Sequence, residues 1–522
     1  MKTRYQLLAI GICSILLWAC SEDKGNYNYH PLPDIEITGV DSTLNVLTYE
    51  TLKLTPNLGT NAMADDQYSY EWKAINQNEE QEVTVIGDTK DLSYQVKLNP
   101  GIYTLYFTAT EKNTGLFHQA SYKLTVSDTM SEGWMVLCSD NGRARLDMFS
   151  DITKQLYTDI LKDKGTPTLN GPRRIQWLST MTDSNSPYYL LTDEGATRLG
   201  KDGFEWKPEY DLSYEMATTD KVAPYSIVTA GFGKMFVSGT KAYYCEIMGI
   251  DGLYGSAVNK DFEVAPYIGA NSKADIYAAL YLLYDITHKR FMAYCPLLAY
   301  NDLGGLNPLQ GMTDMENIAI NMKGNDMVVG NAFTSYPEGY DMVYMENTNY
   351  DPGNRTMGIT YSILAEGNHR YLYGIQMGDM LKFNGNSYAI GKAYYGDLSG
   401  CTDITLTDNR YAFSSLRNCM YYSVGGTLYR VDLNSSPLRA EKQFTLSGET
   451  ITCLKFNIYQ EDDNATRSYN LVVGSEDAQG NGTLRVYDGL KNEGSFVSAQ
   501  PIETHTGFAH IVDATYRERT TN

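Results

Sequence analysis

Basic residues are scarce in this chain of 522 residues, which has 42 Lys and Arg against 63 Asp and Glu and a net charge of −21. Proteins that bind nucleic acid neutralise phosphates with clustered Lys and Arg, so this balance excludes nucleic acid as a partner. It also excludes electrostatic docking onto an anionic membrane surface. Hydrophobic residues make up 43% of the chain and charged residues 20%, which is a globular and not a disordered composition.

Spacings that bind metals are missing as well. The six His form no H-x-x-x-H pair, and no C-x-x-C occurs among the eight Cys. We therefore predict no metal and no cofactor; calcium at the acidic turns 140–142 and 461–464 is an open alternative, although neither has the EF-hand spacing. Six cysteines are expected to be buried free thiols, with a Cys401–Cys419 disulfide as the alternative: Cys138, Cys245, Cys295, Cys401, Cys419 and Cys453.

Short catalytic motifs are absent too. The sequence contains no nucleophile elbow, no Walker loop and no glycine fingerprint for dinucleotides. The carboxylate pairs of glycosidases follow no short spacing rule, and such pairs arise by chance in a chain this acidic. No catalytic residue is therefore predicted, and the chain is not expected to be an enzyme.

Only one long apolar run is present, Leu7–Ala19, and Lys2 and Arg4 precede it. Its thirteen residues would rise about 20 Å as a helix, too short for a hydrocarbon core of about 30 Å. We interpret residues 1–19 as a signal peptide. The following Leu17-Trp-Ala-Cys20 resembles a bacterial lipobox, which implies that Cys20 is the lipidated first residue of the mature chain; an ordinary export signal with an incidental Cys is the alternative.

The residues after Cys20 are acidic. Ser21, Glu22 and Asp23 resemble the export signal that sends Bacteroidetes lipoproteins to the outer face of the cell. Residues 20–33 would then be a flexible tether, and loss of the signal peptide would leave a mature chain of charge −23. The expected localisation is the outer membrane, lipid-anchored and exposed at the cell surface, with the membrane contacted through the lipid alone.

Residues 34–127 have the pattern of a small all-β domain. Apolar and polar residues alternate in short runs, from Ile35-Glu-Ile37 to Tyr122-Lys-Leu-Thr-Val126, and turn residues separate the runs. Trp72 in a middle run and Pro100-Gly101 before a late run favour an immunoglobulin-like sandwich. No Cys lies in this segment, which excludes an antibody-type disulfide.

Five motifs make the interpretation of this region more specific. They are Asp23-Lys-Gly-Asn-Tyr-Asn-Tyr29, Ile35-Glu-Ile37, Leu54-Thr-Pro56, Tyr70-Glu-Trp72 and Gly101-x-Tyr103. As a set they resemble the PKD-like (polycystic-kidney-disease-like) surface lipoproteins of Bacteroidetes. The resemblance implies association with a nutrient-uptake system of the starch-utilisation type, whose TonB-dependent outer-membrane transporter and substrate-binding lipoprotein would be the partners. It supplies no catalytic residues.

From Trp134 onward, pairs of short strands recur around tight polar turns, and the pairs mostly begin roughly 46–56 residues apart. The clearest copies are Val424-Gly-Gly-Thr-Leu-Tyr429 and Gly480-Asn-Gly-Thr-Leu-Arg-Val486. Because propeller blades repeat roughly every 40–50 residues, we predict a β-propeller for residues 131–522. This length fits seven blades with long loops, or eight blades near the shortest period. Two further sandwich domains are the alternative.

Tyrosine is abundant, with 43 Tyr against 15 Phe. A Tyr ring combines a flat apolar face with a hydroxyl, which suits contacts to sugars, peptides or a protein partner, although most single Tyr residues pack in a core. The candidate contacts to a ligand or partner are Trp206, Trp177, Tyr188, Tyr189, Tyr243 and Tyr244.

Two tripeptides resemble the short Asp-(Ser/Thr)-apolar pattern of Bacteroidetes O-glycosylation. They are Asp41-Ser-Thr43 and Asp128-Thr-Met130, which makes Ser42 and Thr129 the candidate acceptors; the alternative is chance occurrence of so short a pattern.

The sequence thus predicts an all-β, non-enzymatic surface lipoprotein accessory to an outer-membrane nutrient importer. It would bind a peptide or glycan, the transporter complex or both, and raise the substrate concentration near the importer. One alternative is a surface enzyme that degrades glycan or peptide at the propeller mouth. Another is a structural subunit with no ligand of its own.

Overall fold

The computed structural model describes residues 35–518 apart from internal gaps. The predicted lipidation and export residues Cys20–Asp23 lie outside the described residues, as do Cys295 and the turn 461–464. The part that the structure describes is all-β, as predicted, and contains no helix that could span a membrane. The gaps are residues 49, 78–81, 163, 179–186, 202, 232, 247–251, 271–279, 295–312, 315–331, 351–357, 378–389, 416, 457–468 and 489–499.

The chain divides into two compact units, residues 1–126 (unit 1) and residues 127–522 (unit 2). Unit 1 has one sheet of strand order β1-β7-β6-β3-β4 and a second sheet of β2 and β5, with a 3-10 turn at Asp65–Gln67. The run Ile35–Ile37, expected as a strand, is not one. The strands are β1 (Thr43–Leu47), β2 (Thr51–Leu54), β3 (Tyr68–Asn76), β4 (Val83–Gly87), β5 (Leu92–Gln95), β6 (Gly101–Glu111) and β7 (Phe117–Ser127).

A single hydrophobic core lies between the two sheets of unit 1. Alternate residues of β6 point into it, because successive side chains of a strand face opposite sides. Trp72 of β3 is fully buried, and its ring centroid lies 4.6 Å from that of Phe107. The indole Nε1 donates a hydrogen bond to the Thr89 carbonyl at 2.9 Å, so the one polar atom of the ring is satisfied. The immunoglobulin-like sandwich predicted around Trp72 is confirmed.

Unit 2 contains the remaining strands and two 3-10 turns, Pro208–Tyr210 and Leu212–Glu215. The strands are β8 (Gly133–Asp140), β9 (Arg143–Ser150), β10 (Leu156–Tyr157), β11 (Pro172–Trp177), β12 (Tyr188–Thr192), β13 (Ala196–Leu199), β14 (Pro224–Ala230), β15 (Gly233–Ser238), β16 (Lys241–Glu246), β17 (Gly269–Ala270), β18 (Tyr281–Asp285), β19 (Arg290–Tyr294), β20 (Thr313–Asp314), β21 (Asp341–Asn347), β22 (Ile359–Glu366), β23 (His369–Met377), β24 (Ile390–Asp397), β25 (Tyr411–Phe413), β26 (Cys419–Val424), β27 (Thr427–Asp432), β28 (Ala440–Thr445), β29 (Glu449–Phe456), β30 (Leu471–Asp477), β31 (Gly482–Tyr487), β32 (Glu503–Phe508) and β33 (His510–Arg517).

These strands form seven sheets within the described residues. The sheets are β33-β8-β9-β10, β11-β12-β13, β14-β15-β16, β17-β18-β19-β20, β21-β22-β23-β24, β25-β26-β27-β28 and β29-β30-β31-β32. The first strand of each sheet contacts the first strand of the next, in the closed order β11, β14, β17, β21, β25, β29, β33 and back to β11. This ring of sheets is the β-propeller predicted from the repeat, in place of further sandwiches.

The last strand of the chain closes the ring. β33 pairs antiparallel with β8, in a register that places Ile511 opposite Cys138 and Tyr516 opposite Trp134. The Tyr516 hydroxyl donates a hydrogen bond to Asp151 Oδ2 at 2.6 Å. This bond links the end of the β33–β8 pairing to the turn after β9. The first sheet is therefore built from both ends of unit 2.

Seven hydrophobic clusters fill the spaces between consecutive sheets, and tyrosine contributes to all of them. Tyr361 and Tyr422 are almost fully buried there. Their hydroxyls donate to Asn418 Oδ1 at 2.8 Å and to the Thr402 carbonyl at 2.7 Å. Much of the tyrosine content therefore serves packing, because the ring fills the space between sheets while the hydroxyl reaches a polar partner at its rim.

The cysteines of the described residues are buried free thiols, as expected, and Cys401 and Cys419 form no disulfide. Burial raises the pKa of Cys453 to about 12, with Asp513 adding to the rise. A thiol in such surroundings stays protonated at neutral pH and is unreactive.

Candidate functional site

The first strands of six sheets, β11, β14, β21, β25, β29 and β33, and the residues Tyr267 and Ile268 just before β17 line a cavity of about 890 Å³ along the centre of unit 2, here called the central channel. Their side chains alternate between the channel and the sheet interfaces, since neighbouring residues of a strand point to opposite faces. Polar and charged residues of these strands, such as Arg174 of β11 and Glu346 of β21, therefore line a shared space.

Four tyrosines form a row along one side of the central channel. The ring centroids of Tyr225 and Tyr267 are 5.7 Å apart, those of Tyr267 and Tyr344 are 5.5 Å apart, and those of Tyr344 and Tyr411 are 5.4 Å apart. The first three rings are only half-buried, so they remain accessible from the cavity. The Tyr267 hydroxyl donates to the Val343 carbonyl at 3.1 Å, which fixes its ring between two sheets.

Arg174 extends this row. Its guanidinium carbon lies 5.0 Å from the centre of the Tyr225 ring, within cation–π distance. Burial acts to lower the pKa of Arg174, but Tyr225 and Asp513 hold it above its ordinary value, so the group is always charged. No carboxylate among the described residues forms an ion pair with Arg174.

Arg410, on the loop before β25, is a second cation on the channel wall. Its Nε donates to the Thr452 carbonyl at 3.0 Å and its Nη1 to the Asp408 carbonyl at 3.0 Å. Carbonyl partners fix the side chain without cancelling its charge. Within the ranges described, Arg410 likewise has no carboxylate partner.

Lys455 and Asp513 form an ion pair on the same wall, with 2.9 Å between Nζ and Oδ1. The other oxygen, Asp513 Oδ2, accepts a hydrogen bond from the Ile175 amide at 3.1 Å. The carboxylate therefore links β33, β29 and β11, and its charge is balanced locally by Lys455.

Glu346 is the second carboxyl group in the central channel. One of its oxygens, Oε2, accepts hydrogen bonds from the Tyr344 hydroxyl and from the Phe413 amide, both at 3.1 Å. Burial raises the pKa of Glu346 to about 7, against the lowering effect of these hydrogen bonds and of Arg174 and Lys455. Near neutral pH the group is therefore divided between its neutral and ionised forms.

This titration predicts a pH-dependent stability. The pKa of Glu346 is raised from 4.5 to about 7, so the stability that its neutral form provides is present below about pH 4.5 and is lost as the pH rises through 7. We expect Glu346→Gln to be more stable than the wild type at pH 8 by about 1–3 kcal/mol, with a smaller difference at pH 5. Urea denaturation at the two pH values measures this.

Glu366→Gln is the matched control, because Glu366 is exposed at the end of β22. An equal pH-dependent gain in both variants would contradict the assignment of the effect to the central channel.

Residues 20–172 match the model of the PKD-like family. No curated protein matches the chain. Similar solved structures include a quinonprotein alcohol dehydrogenase-like protein from Bacteroides thetaiotaomicron, 12% identical with a TM-score of 0.40, covering 92% of this chain and 94% of that chain. Another is a DUF4784 family protein from Bacteroides caccae, 11% identical with a TM-score of 0.27, covering 92% of this chain and 98% of that chain.

The PKD-like match covers strands β1 to β10. Of the two predicted glycosylation sites in it, Ser42 is exposed. Thr129 is half-buried, and its hydroxyl lies 3.2 Å from Asp128 Oδ1. Glycosylation at Ser42 and Thr129 stays a prediction.

Four of the predicted ligand contacts are core residues, which corrects the expectation of a surface patch. Tyr188, Tyr189, Tyr243 and Tyr244 are 6% exposed or less and pack in the clusters between sheets. The Tyr189 hydroxyl donates to Glu215 Oε1 at 2.9 Å inside unit 2. The doublets lie in strands buried on both faces, so neither ring of a pair points to solvent.

The two predicted tryptophans lie in different places. Trp177, at the end of β11, is half-buried and lines the central channel, so it stays a candidate contact. Trp206 is half-buried outside the channel lining, and its Nε1 donates to Thr197 Oγ1 at 2.9 Å. Trp206 also stays a candidate, at a site separate from the channel.

The sequence analysis missed the other residues of the central channel. Glu346 and Lys455 each interrupt an apolar first strand, and this interruption is the signal that could have revealed them. Arg174 lies in the mostly polar β11, which carries no such signal. Among the described residues, no group of three or more His, Cys, Asp or Glu could hold a metal ion. The arrangement offers aromatic rings, fixed cations and one carboxyl that titrates near neutrality.

Proposed function

We propose that this protein is a non-enzymatic binding protein of the cell surface, in which the central channel of unit 2 holds a ligand. The observation that carries the proposal is the channel of about 890 Å³, where a row of four tyrosines ends at the cation of Arg174. Sites for small molecules commonly measure about 300–1,000 Å³ and combine aromatic walls with a few placed polar groups.

The proposed setting is an outer-membrane nutrient-uptake system. The lipobox-like Cys20 and the acidic residues after it support a lipid-anchored chain at the cell surface. The match of residues 20–172 to the PKD-like family supports the same setting. The partners would be a TonB-dependent transporter and its substrate-binding lipoprotein, and the ligand a peptide or oligosaccharide held near the importer.

Binding measurements on the full-length protein test the role of the central channel. We expect titration calorimetry across defined oligosaccharides and peptides to find a ligand, and Tyr225→Ala to weaken its binding about tenfold because the aromatic face beside Arg174 is lost. The matched control is Tyr214→Ala, since Tyr214 is 59% exposed and lies outside the channel. No binding, or equal binding by Tyr225→Ala and the wild type, would contradict the proposal.

A hydrolase with its site in the channel is the second candidate, and Glu346 is the observation that favours it. A carboxyl with a pKa of about 7 can act as a general acid, and a second carboxyl, Asp513, lies in the same cavity. Chromatography of the bound ligand after incubation separates the two candidates. Turnover that is lost in Glu346→Gln would replace the binding proposal with the enzymatic one.

A further inference from the structure

The charge of the central channel is opposite to that of the chain. The chain carries −21, whereas the lining includes Arg174 and Arg410, which form no ion pair in the part of the chain that the structure describes. We infer that the central channel binds a carboxylate-bearing sugar, with Arg174 as the principal group that receives the carboxylate. This inference rests on the proposed function and narrows its ligand to one chemical class.

Arg174, Arg410 and Tyr267 all line the central channel. Burial raises the pKa of Tyr267 to about 12, and the positive charges of Arg174 and Arg410 both oppose that rise. Arg174 is stacked on Tyr225, and Arg410 is held by two carbonyls, so neither must be ordered when a ligand arrives. A guanidinium presents a planar fork of N–H donors that matches a carboxylate.

The remaining charges do not cancel this cationic region. Asp513 forms an ion pair with Lys455 at 2.9 Å and accepts a hydrogen bond from the Ile175 amide at 3.1 Å. Among the described residues of the lining, Glu346 is the one other carboxyl, and its raised pKa leaves it partly neutral near pH 7. The channel therefore has a net positive charge in both states of Glu346, and a larger one when Glu346 is protonated.

The row of tyrosines favours a sugar over an acidic peptide as the carrier of the carboxylate. Tyr225, Tyr267 and Tyr344 are half-buried and line the cavity with flat apolar surface bordered by hydroxyl groups. A sugar ring has the complementary pattern, with apolar C–H faces and a polar edge of hydroxyls. The Tyr267 and Tyr344 hydroxyls each donate one hydrogen bond within the protein and keep the capacity to accept another.

Glu346 makes the binding of an anion depend on pH. Charged and titratable groups of the neighbouring elements act on the region around it: Tyr344 on its own strand, Arg174, Tyr225, Tyr267, Tyr411, Arg410 and Lys455. Asp513, paired with Lys455, and His510 also line the channel. At pH 8 a carboxyl with a pKa of about 7 is roughly nine-tenths ionised and repels a bound carboxylate. Lowering the pH to 6 removes that charge, while a sugar acid stays ionised.

The test uses trigalacturonate as the acidic probe, the neutral galactose trisaccharide as its uncharged counterpart and triglutamate as the acidic peptide. On the full-length protein at pH 6, calorimetry is expected to show trigalacturonate binding at least about tenfold more tightly than the other two. Arg174→Gln should weaken trigalacturonate binding about 10- to 100-fold. The matched control Arg439→Gln removes the same charge at an exposed position outside the channel and should bind like the wild type.

The pH dependence of binding distinguishes the effect of the charge of Glu346 from the effect of side-chain packing. The affinity of the wild type for trigalacturonate should fall about three- to tenfold from pH 6 to pH 8, and Glu346→Gln should bind equally at both. If the neutral trisaccharide or triglutamate binds as tightly as trigalacturonate and still depends on Tyr225, the inference is wrong while the proposed function stands. If no probe binds in a way that depends on Tyr225 or Arg174, both are wrong.

Discussion

Replacing Ile511 by Asp is expected to unfold unit 2. Ile511 is fully buried in β33, where the last strand of the chain pairs with β8 and closes the ring. Its side chain packs against Gly474 and Gly482, where an added Cβ would come within 3.0 Å of it. An unpaired carboxylate at such a position costs more than about 4 kcal/mol, which is a large part of the roughly 5–15 kcal/mol that stabilises a folded domain.

The matched control for Ile511→Asp is Ile502→Asp. Ile502 is 52% exposed, so its substitution should change the free energy of unfolding by no more than about 0.5 kcal/mol. Hydrogen exchange on the full-length protein measures the outcome through the amides of β8, β30 and β33. If these amides are protected equally in Ile511→Asp and in the control, the ring does not depend on closure by β33.

Replacing Cys20 by Ala is expected to release the protein from membranes completely. Cys20 follows the apolar run Leu7–Ala19 at the position of a lipobox cysteine, and with a net charge of −21 the chain has no electrostatic affinity for an anionic surface. Attachment would therefore depend on the acyl chains alone, and several chains hold a protein stably where one does not. Membrane fractionation followed by immunodetection measures the distribution.

Cys13→Ala is the control for lipidation, because Cys13 lies within the predicted signal peptide. This variant should remain with the membranes as the wild type does. Retention of Cys20→Ala in the membrane fraction would contradict the anchor and with it the proposed location at the cell surface.

The part of the propeller that the sequence revealed is the middle of each sheet. The predicted hairpins correspond to second and third strands, such as β26 with β27 and β30 with β31, because these strands are joined by tight turns and are apolar. Most of the first strands, which line the channel, were not recognised. Several of them, such as β14 and β25, follow long connections, and polar residues such as Glu346 and Lys455 interrupt the apolar pattern. The residues that form the site are the ones that weaken the strand signal.

The prediction from tyrosine content was wrong in the opposite sense, because it assigned to a binding surface side chains that pack in the core. A ring with a hydroxyl suits a wet gripping surface, but it equally suits the space between two sheets, where Tyr361 and Tyr422 each find a polar partner. Composition does not separate these two environments. In unit 1 the alternation around Trp72 was sufficient, because a sandwich with one core gives each strand a distinct inner face.

The most direct test of this account is a crystal structure of the protein with the most tightly bound probe at saturating concentration. The account predicts that the probe lies in the central channel, with its carboxylate at Arg174 and its rings against Tyr225 and Tyr267. A probe bound outside the channel, with the channel side chains unchanged, would contradict it.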